Sequence, residues 1–389
     1  MSRTLATGID IGTHRIRVVV GECTYSGSQV TKKRIIGNGS APSQGVRRGA
    51  IVNAHDAEHS IRDAVAQAEK STGATIKEAF VSINGPDLEG ELFDATISIT
   101  RVSGEITEAD VDAVMQTVTK VFESNEDANN RSILHTVPLY YSVDDTPVLG
   151  RPEGMVGKKL HVRALVISAH TQHIRNIVQA VEQSGIAVID VVASPLAASI
   201  VNLNKVQKMA GAVLVNIGAE TVSLIVYENN IPISLKVFPI GSTDITHDIA
   251  LGFRIPLEEA ETLKHGNMTS NHSEKELSEI IEARLTDIFE LVEKHLKKIK
   301  KNGLLPAGII LTGGGAGLVS VDELAKATLG LPASLAHQTS TNNVRDASWS
   351  VAYGLCTLGL TPPDRDGITF NAIKKTGSTL KQWLGQFLP

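Results

Sequence analysis

Short apolar runs open the chain. Residues 5–11 and 15–22 read as strands joined by Gly12-Thr13, and a third run follows near 31–39. Helical spacing then takes over. Ala57, Ile61, Ala64, Val65 and Ala68 form one stripe, with Asp56 as candidate cap and Gly73 as the stop. After a short strand at 80–83 the pattern changes. Between 85 and 161 lie strands at 95–101 and 133–141, a helix starting near Thr107, and turns such as Asp144-Asp145-Thr146-Pro147. This stretch reads as an inserted α+β module. Strand–helix alternation resumes with a strand at 162–169, a helix at 171–184, a stop at Gly185, a strand at 186–192 and a helix at 195–209.

A second strand-turn-strand-turn-strand unit covers 211–217, 221–228 and 231–238. It repeats the plan of the opening, which points to an internal duplication. Helices follow at 242–252 and 256–265. The longest helix starts at the capping box Ser273-x-x-Glu276 and carries Leu277, Ile281, Leu285, Ile288 and Val292 on one stripe. Lys297, Lys298, Lys300 and Lys301, just before Gly303, suit the negative end of its dipole. A buried strand at 307–311 runs into Thr312-Gly313-Gly314-Gly315. A last helix at 348–358 precedes Pro362-Pro363, and 361–373 reads as a linker.

Bulk properties narrow the function classes. A chain of 389 residues suits two lobes better than one core. A net charge of −5 and only 4% aromatic residues argue against a nucleic-acid partner. Cys23 and Cys356 make neither a disulfide framework nor a zinc cluster, and they suit a reducing cytoplasm. Residues 1–11 lack the apolar stretch and cleavage site of a secretion signal. No apolar run reaches the ~20 residues of a spanning helix, so any membrane contact is expected to be peripheral.

The candidate chemistry lies in loops. Asp10-Ile11-Gly12-Thr13-His14-Arg15 and Asn216-Ile217-Gly218-Ala219-Glu220-Thr221 share one plan, and Thr312-Gly313-Gly314-Gly315-Ala316-Gly317 adds a third loop. Glycine lets backbone N–H groups approach phosphate oxygens. A carboxylate at a strand end, such as Asp10, can hold a hydrated Mg²⁺, and Arg15 can neutralise a phosphate. One such loop is most simply a hairpin turn; three in this order, separated by two lobes' worth of chain, are not. There is no Walker A pattern, and the 313–317 run does not satisfy G-x-G-x-x-G.

With these loops in view, the chain resembles the actin/Hsp70/sugar-kinase ATPase superfamily and, within it, the FtsA family of bacterial cell-division proteins. The matching stretches are 8–16, 211–227, 308–318 and 347–359, with Ala260-Glu261-x-x-Lys264, Ile280-Ile281-Glu282-Ala283-Arg284 and Pro152-Glu153-Gly154-Met155-x-Gly157. The resemblance covers nearly the whole chain. It implies an α/β, actin-like two-lobe ATPase fold with an inserted α+β module and a C-terminal amphipathic helix. Lobe 1 would comprise 1–84, 162–200 and the closing helix in 336–360. The module would span 85–161 and lobe 2 would span 201–335.

The same resemblance implies ATP between the lobes. Asp10 would hold Mg²⁺ through water, and Gly12, Thr13, Gly218, Ala219 and Glu220 would line the phosphates, with His14, Arg15 and Gly241 beside them. Glu261, Lys264 and Glu282 would face ribose or adenine, and Gly313, Gly314 and Gly315 would back the nucleotide. The implied role is an ATP-binding protein that forms filaments under the cytoplasmic membrane at the septum. There it would tether the tubulin-like FtsZ ring, through the FtsZ C-terminal peptide, and meet later division proteins.

Two departures qualify this expectation. Asn216 stands where the family usually has Asp; an amide is no general base and gives a metal no charge. Binding should be retained and hydrolysis weak or absent. The small subdomain that receives the FtsZ peptide is expected to be shortened, near 265–276, which is polar and rich in Asn and Ser. The alternative within the superfamily is a type IV pilus assembly ATP-binding protein resembling PilM. A sugar or acetate kinase would need a substrate-side base, and Asn216 argues against it.

The last sixteen residues, 374–389, carry Leu380, Trp383, Leu384, Phe387 and Leu388 at helical spacing on one face. Lys381 and Gln382 lie off that stripe, and Lys374 and Lys375 precede it. Each large side chain contributes ~1.5–3 kcal/mol if fully buried, and each basic residue near an anionic surface ~1 kcal/mol. With ordering entropy subtracted, this reads as a reversible, peripheral anchor on the cytoplasmic side of the inner membrane, strengthened by assembly. Packing of the same stripe on its own globule is the competing reading. His55-Asp56-Ala57-Glu58-His59 fits an H-x-x-E-H string, but both histidines fall off the apolar stripe of their helix. His170 and His173 likewise read as a polar helix face.

Overall fold

The computed structural model describes residues 2–26, 29–266, 273–336, 339–340, 343–344 and 346–361. The linker beyond Thr361 and the expected membrane helix with Leu380, Lys381, Trp383, Leu384, Phe387 and Leu388 lie outside the described residues.

Three strands open lobe 1 as an antiparallel meander: β1 (Ser2–Ile11), β2 (Arg15–Ser26) and β3 (Gln29–Pro42). A small hairpin, β4 (Val46–Arg47) with β5 (Ala50–Ile51), leads to α1 (Ala54–Thr72) and β6 (Glu78–Ile83). The stripe Ala57, Ile61, Ala64, Val65 and Ala68 packs into the lobe core as its spacing predicts. The cap of α1 is Asn53, whose side chain accepts from the N–H groups of His55 and Asp56. Asp56, the expected cap, sits in the first turn instead, where its charge suits the helix dipole. Gly73 closes the helix at φ 65°.

The inserted module follows: β7 (Glu89–Ser98), α2 (Glu108–Glu123), β8 (Arg131–Val143), β9 (Thr146–Val148) and β10 (Lys159–His170). Its sheet has the order β7-β10-β8-β9, antiparallel throughout. Helix α2 starts at a Thr107–Asp110 capping box and buries Val111, Val114, Met115, Val118 and Phe122 against that sheet. The strand expected to resume lobe 1 at 162–169 lies here, between β7 and β8. Its apolar run, Ala164 to Ile167, reflects burial on both faces: Val162, Ala164 and Val166 pack within the module, and Leu165, Ile167 and Ala169 against the lobe core.

Lobe 1 continues with α3 (Thr171–Gln183), β11 (Ala187–Ala193), α4 (Ser194–Asn202) and α5 (Lys205–Ala210). The helix expected at 195–209 is therefore two helices. Asn204 breaks it by forming a new capping box with Gln207.

Lobe 2 holds β12 (Ala212–Ile217), β13 (Val222–Glu228), β14 (Ile231–Phe238), α6 (Ser242–Phe253), α7 (Leu257–Lys264), α8 (Glu274–Lys298), β15 (Ile309–Thr312), α9 (Val321–Leu329) and β16 (Ala333–Leu335). Ser273 caps α8 by accepting from the Glu276 N–H. Among the described residues no strand lies between α7 and α8. The sequence reading missed α9 and β16. Helix α10 (Ser350–Gly359) then returns to lobe 1. It packs so tightly on α4 that a Cβ on Gly354 would lie 1.9 Å from the Ala197 carbonyl oxygen.

The two lobes share one topology. Lobe 1 has the sheet order β3-β2-β1-β6-β11, and lobe 2 has β14-β13-β12-β15-β16. In each, an antiparallel meander is followed by two parallel strands. This is the duplication that the repeated strand pattern suggests. Among the described residues no helix is long and apolar enough to cross a membrane.

Candidate nucleotide cleft

Duplicated folds place duplicated hairpins face to face. In lobe 1 the β1–β2 register pairs Asp10 with Arg17 and Ile11 with Ile16. In lobe 2 the β12–β13 register pairs Asn216 with Ser223 and Ile217 with Val222. Gly12 and Gly218 occupy the same turn position. A Cβ on Gly12 would lie 2.7 Å from the Arg15 carbonyl oxygen, and one on Gly218 would lie 2.9 Å from that of Thr221. Only glycine fits either turn. Between the hairpins is a cleft of about 1030 Å³.

Asp10 is buried at the cleft floor. It accepts from Ser82 Oγ at 2.8 Å, and Ser82 Oγ in turn accepts from the Ile11 N–H at 3.0 Å. Burial raises its pKa, with Arg17 and the Ser82 bond pulling the other way. Arg17 lines the cleft, donates from Nη2 to Ser348 Oγ at 2.9 Å and lies 5.7 Å from the Trp349 ring centre. Burial lowers its pKa and Asp10 opposes the shift. Sequence reading missed Arg17 because a charged residue in a strand usually faces solvent. Its register position opposite Asp10 was the available signal.

Arg15, expected on a phosphate, lines the cleft but is tied to β3. Its Nε donates to Ser40 Oγ at 2.9 Å and its Nη2 to the Ser40 carbonyl at 3.3 Å. His14 sits at the cleft edge. Burial lowers its pKa, Glu261 across the cleft raises it, and Arg17, Arg15 and Lys264 add to the lowering. Thr13 Oγ1 accepts from the Gly49 N–H at 3.1 Å.

On the lobe 2 side, the start of α6 holds the second loop. Ser242 N–H donates to the Gly218 carbonyl at 2.9 Å, and Thr243 N–H to that of Ala219 at 2.8 Å. Gly241 supports the loop without lining the cleft: a Cβ there would lie 2.3 Å from the Ala219 carbonyl oxygen. Glu220 does not line the cleft either. Its carboxylate turns away to accept from Arg47 Nη1 at 2.8 Å and the Arg48 N–H at 2.7 Å. A carboxylate facing phosphates would repel them, and a cation close by offers a better partner.

Glu261, Lys264 and Glu282 all line the cleft. Lys264 is buried, and Nζ donates to the Ser242 carbonyl at 3.2 Å, Thr246 Oγ1 at 2.8 Å and Glu261 Oε2 at 2.7 Å. An ammonium has three protons, so these bonds satisfy it. Burial pushes the Glu261 pKa up, but the bonds from Lys264 and Thr246 outweigh it and hold the carboxyl below the usual range. Glu282 accepts from Ser278 Oγ at 2.8 Å. Gly313, at φ 90°, brings the third loop against the second, where a Cβ would lie 2.2 Å from Asn216 Oδ1. Gly314 and Gly315 line the cleft beside it.

Among the described residues, three buried atoms of the cleft lining have no protein partner: Arg17 Nε, Asn84 Oδ1 and Ser194 Oγ. A cleft with glycine-walled turns and the Arg17 guanidinium on its lining fits a polar, anionic ligand. Asn84 also reaches across it, donating from Nδ2 to Thr221 Oγ1 at 2.9 Å. By contrast, His55 and His59 are exposed on α1, and no group of three or more His, Cys, Asp or Glu suited to a metal occurs among the described residues.

Known proteins match this arrangement. The profile of the family described as Cell division protein FtsA matches residues 213–354, and that of the SHS2 domain inserted in FtsA matches 85–168. The cell division protein FtsA of Borreliella burgdorferi is 30% identical, over 98% of this chain and 96% of its own length. The chain belongs to the FtsA family. FtsA of Bacillus subtilis is 31% identical over 88% of this chain and 78% of its own. The module of this FtsA family member thus extends to about the end of β10, as the strand pairing of β10 with β7 and β8 requires.

Solved structures agree on the fold. A PilM-PilN type IV pilus biogenesis complex superposes with a TM-score of 0.69 at 16% identity, covering 92% of this chain and 99% of that one. MreB 5 of Spiroplasma citri, bound to AMPPNP, superposes at 0.51 and 15% identity, covering 90% and 94%. The fold is actin-like. Likeness to the pilus protein is one of fold and does not favour its function here.

Proposed function

We propose that this FtsA family member binds ATP with Mg²⁺ between its lobes and assembles into filaments on the cytoplasmic face of the inner membrane at the septum. It tethers FtsZ there, with little or no hydrolysis. One observation supports the nucleotide reading above others. Glycine turns from two lobes of equal topology face one cleft, and the Arg17 guanidinium lines it.

In this reading the backbone N–H groups of Gly12, Thr13 and Ala219 take the phosphates, while the Gly218 N–H closes its turn on the Thr221 carbonyl at 2.9 Å and its missing side chain lets the ligand approach; the dipole of α6 adds to the attraction. Arg17 supplies positive charge beside Asp10. Asp10 would hold Mg²⁺ through water, and the metal would offset phosphate charge. Glu261 and Glu282 face ribose and base, with Lys264 acting through Glu261. Gly313, Gly314 and Gly315 back the nucleotide. Asn216 cannot take a proton from water, which supports weak hydrolysis.

The membrane part rests on the stripe Leu380, Trp383, Leu384, Phe387 and Leu388. The FtsZ and filament parts rest on the family and on the absence of a competing substrate base at Asn216. Flotation with anionic liposomes in MgATP tests binding and assembly together. The full chain should float and a version ending at Asn371 should stay in the bottom fraction. Equal flotation would contradict the proposal.

A further inference from the structure

The β4–β5 hairpin touches both phosphate loops and the root of the inserted module. Its turn, Arg48-Gly49, has positive φ at both residues, 48° and 80°. The Gly49 N–H donates to Thr13 Oγ1 in the first phosphate loop at 3.1 Å. The Gly49 carbonyl oxygen lies 3.1 Å from His173 Nε2. His173, in the first turn of α3, is buried, and its Nδ1 lies 2.9 Å from Asp87 Oδ1. Asp87 lies two residues before the module's first strand. Its carboxylate also accepts from the His170 N–H at 3.0 Å, and its carbonyl accepts from Arg131 Nη2 of β8 at 2.8 Å. On the opposite side, Glu220 of lobe 2 accepts from Arg47 and Arg48 of the same hairpin.

We infer that this hairpin couples the nucleotide cleft to the inserted module, with His173 as the positioning residue between them. The inference rests on the reading that the cleft binds ATP. One residue carries the link: Gly49 is held at its N–H by Thr13 and at its carbonyl by His173, so a displacement of Gly49 toward or away from Thr13 alters both contacts. His173 has an acceptor on each side, so bonding both at once takes a proton on each ring nitrogen. A side chain with a single donor nitrogen supplies only one end of the link. A Cβ on Gly49 would lie 2.7 Å from the Asn84 carbonyl oxygen, so the turn has no room for a side chain. The Glu220 contact forms only when the lobes are together. A ligand that draws the two phosphate loops inward therefore favours one position of the hairpin, and the hairpin favours one position of Asp87.

Hydrogen–deuterium exchange on the full chain, with and without MgATP, tests this. ATP affinity is measured by calorimetry on the same samples. In the native chain MgATP should slow exchange in Glu89–Ser98 and Lys159–His170 by about fivefold or more, the low end for coupled sites. In His173→Gln the response should vanish in the module while ATP affinity stays near native, because His173 does not line the cleft. Asp87→Ala removes the acceptor of the same link from the module side and should give the same loss, whether or not His173→Gln folds. An undiminished module response in either folded variant overturns the inference. So does a native chain that binds MgATP with no response in the module. A native chain with no calorimetric ATP binding overturns the nucleotide reading as well.

Discussion

The two hairpins of the cleft are equal in backbone and unequal in chemistry. Gly12 and Gly218 make the same close approach to the carbonyl three residues on. Yet the strand position two before the glycine is Asp10 in lobe 1 and Asn216 in lobe 2, and the partners across the ladder are Arg17 and Ser223. At these ladder positions charge sits in lobe 1 only. The lobe 2 hairpin contributes backbone, braced by the start of α6; the lobe 1 hairpin contributes the carboxylate and the guanidinium. On the proposed function, the duplication supplies a two-walled phosphate cradle, and the asymmetry separates binding from turnover.

The symmetric half of this comparison should give the largest effect. Gly12→Val and Gly218→Val each force a side chain into a carbonyl and should cost on the order of 3 kcal/mol, about a hundredfold in ATP affinity. Calorimetry should find the two losses alike. A loss at one site alone would mean that the hairpins are not equivalent cradles.

The asymmetric half comes next. Asp10→Asn should weaken Mg²⁺-dependent ATP binding about 10–100-fold, while Asn216→Ala should change it little. Asp10 also carries a pH signature. Burial raises its pKa above 3.8, so the folded chain without ligand holds that proton more tightly than the unfolded chain. Stability from this group is present below 3.8 and is lost as pH rises through the raised value. The melting temperature of Asp10→Asn relative to native should therefore climb as the pH rises above 3.8 without nucleotide. Asn216→Asp restores a carboxylate to lobe 2 and should raise steady-state ATP turnover by on the order of tenfold or more. No change would remove Asn216 from the explanation of slow hydrolysis.

The smallest effect belongs to Glu220. Glu220→Gln keeps the Arg48 N–H bond but loses the charge facing the exposed Arg47, and should cost about 0.2–1 kcal/mol of stability. The difference from native should shrink as salt rises, since exposed pairs are screened. A salt-independent loss would show that the contact is not electrostatic.

What the sequence revealed and what it hid follow from the range of the interactions. The paired loops, the stripe of α1 and the Thr107 and Ser273 caps are local patterns, and each is where its spacing predicts. The misplaced features depend on distant partners. Residues 162–169 look like any buried strand, and only pairing with β7 and β8 assigns them to the module. His173 reads as polar surface by helix period, but Asp87 and Gly49, far away in sequence, make its buried position tolerable. Glu220 reads as a phosphate-loop residue by position, and Arg47 in the other lobe turns it outward. Arg17 and Asn84 needed the register and the cleft before they stood out.

The central claim is that the two glycine hairpins form one nucleotide site. Calorimetric titration of the full chain with MgATP, beside Gly12→Val and Gly218→Val, tests it most directly. The account predicts one saturable site per native chain and a loss of about a hundredfold or more in each variant. Native-like binding in both variants would contradict it.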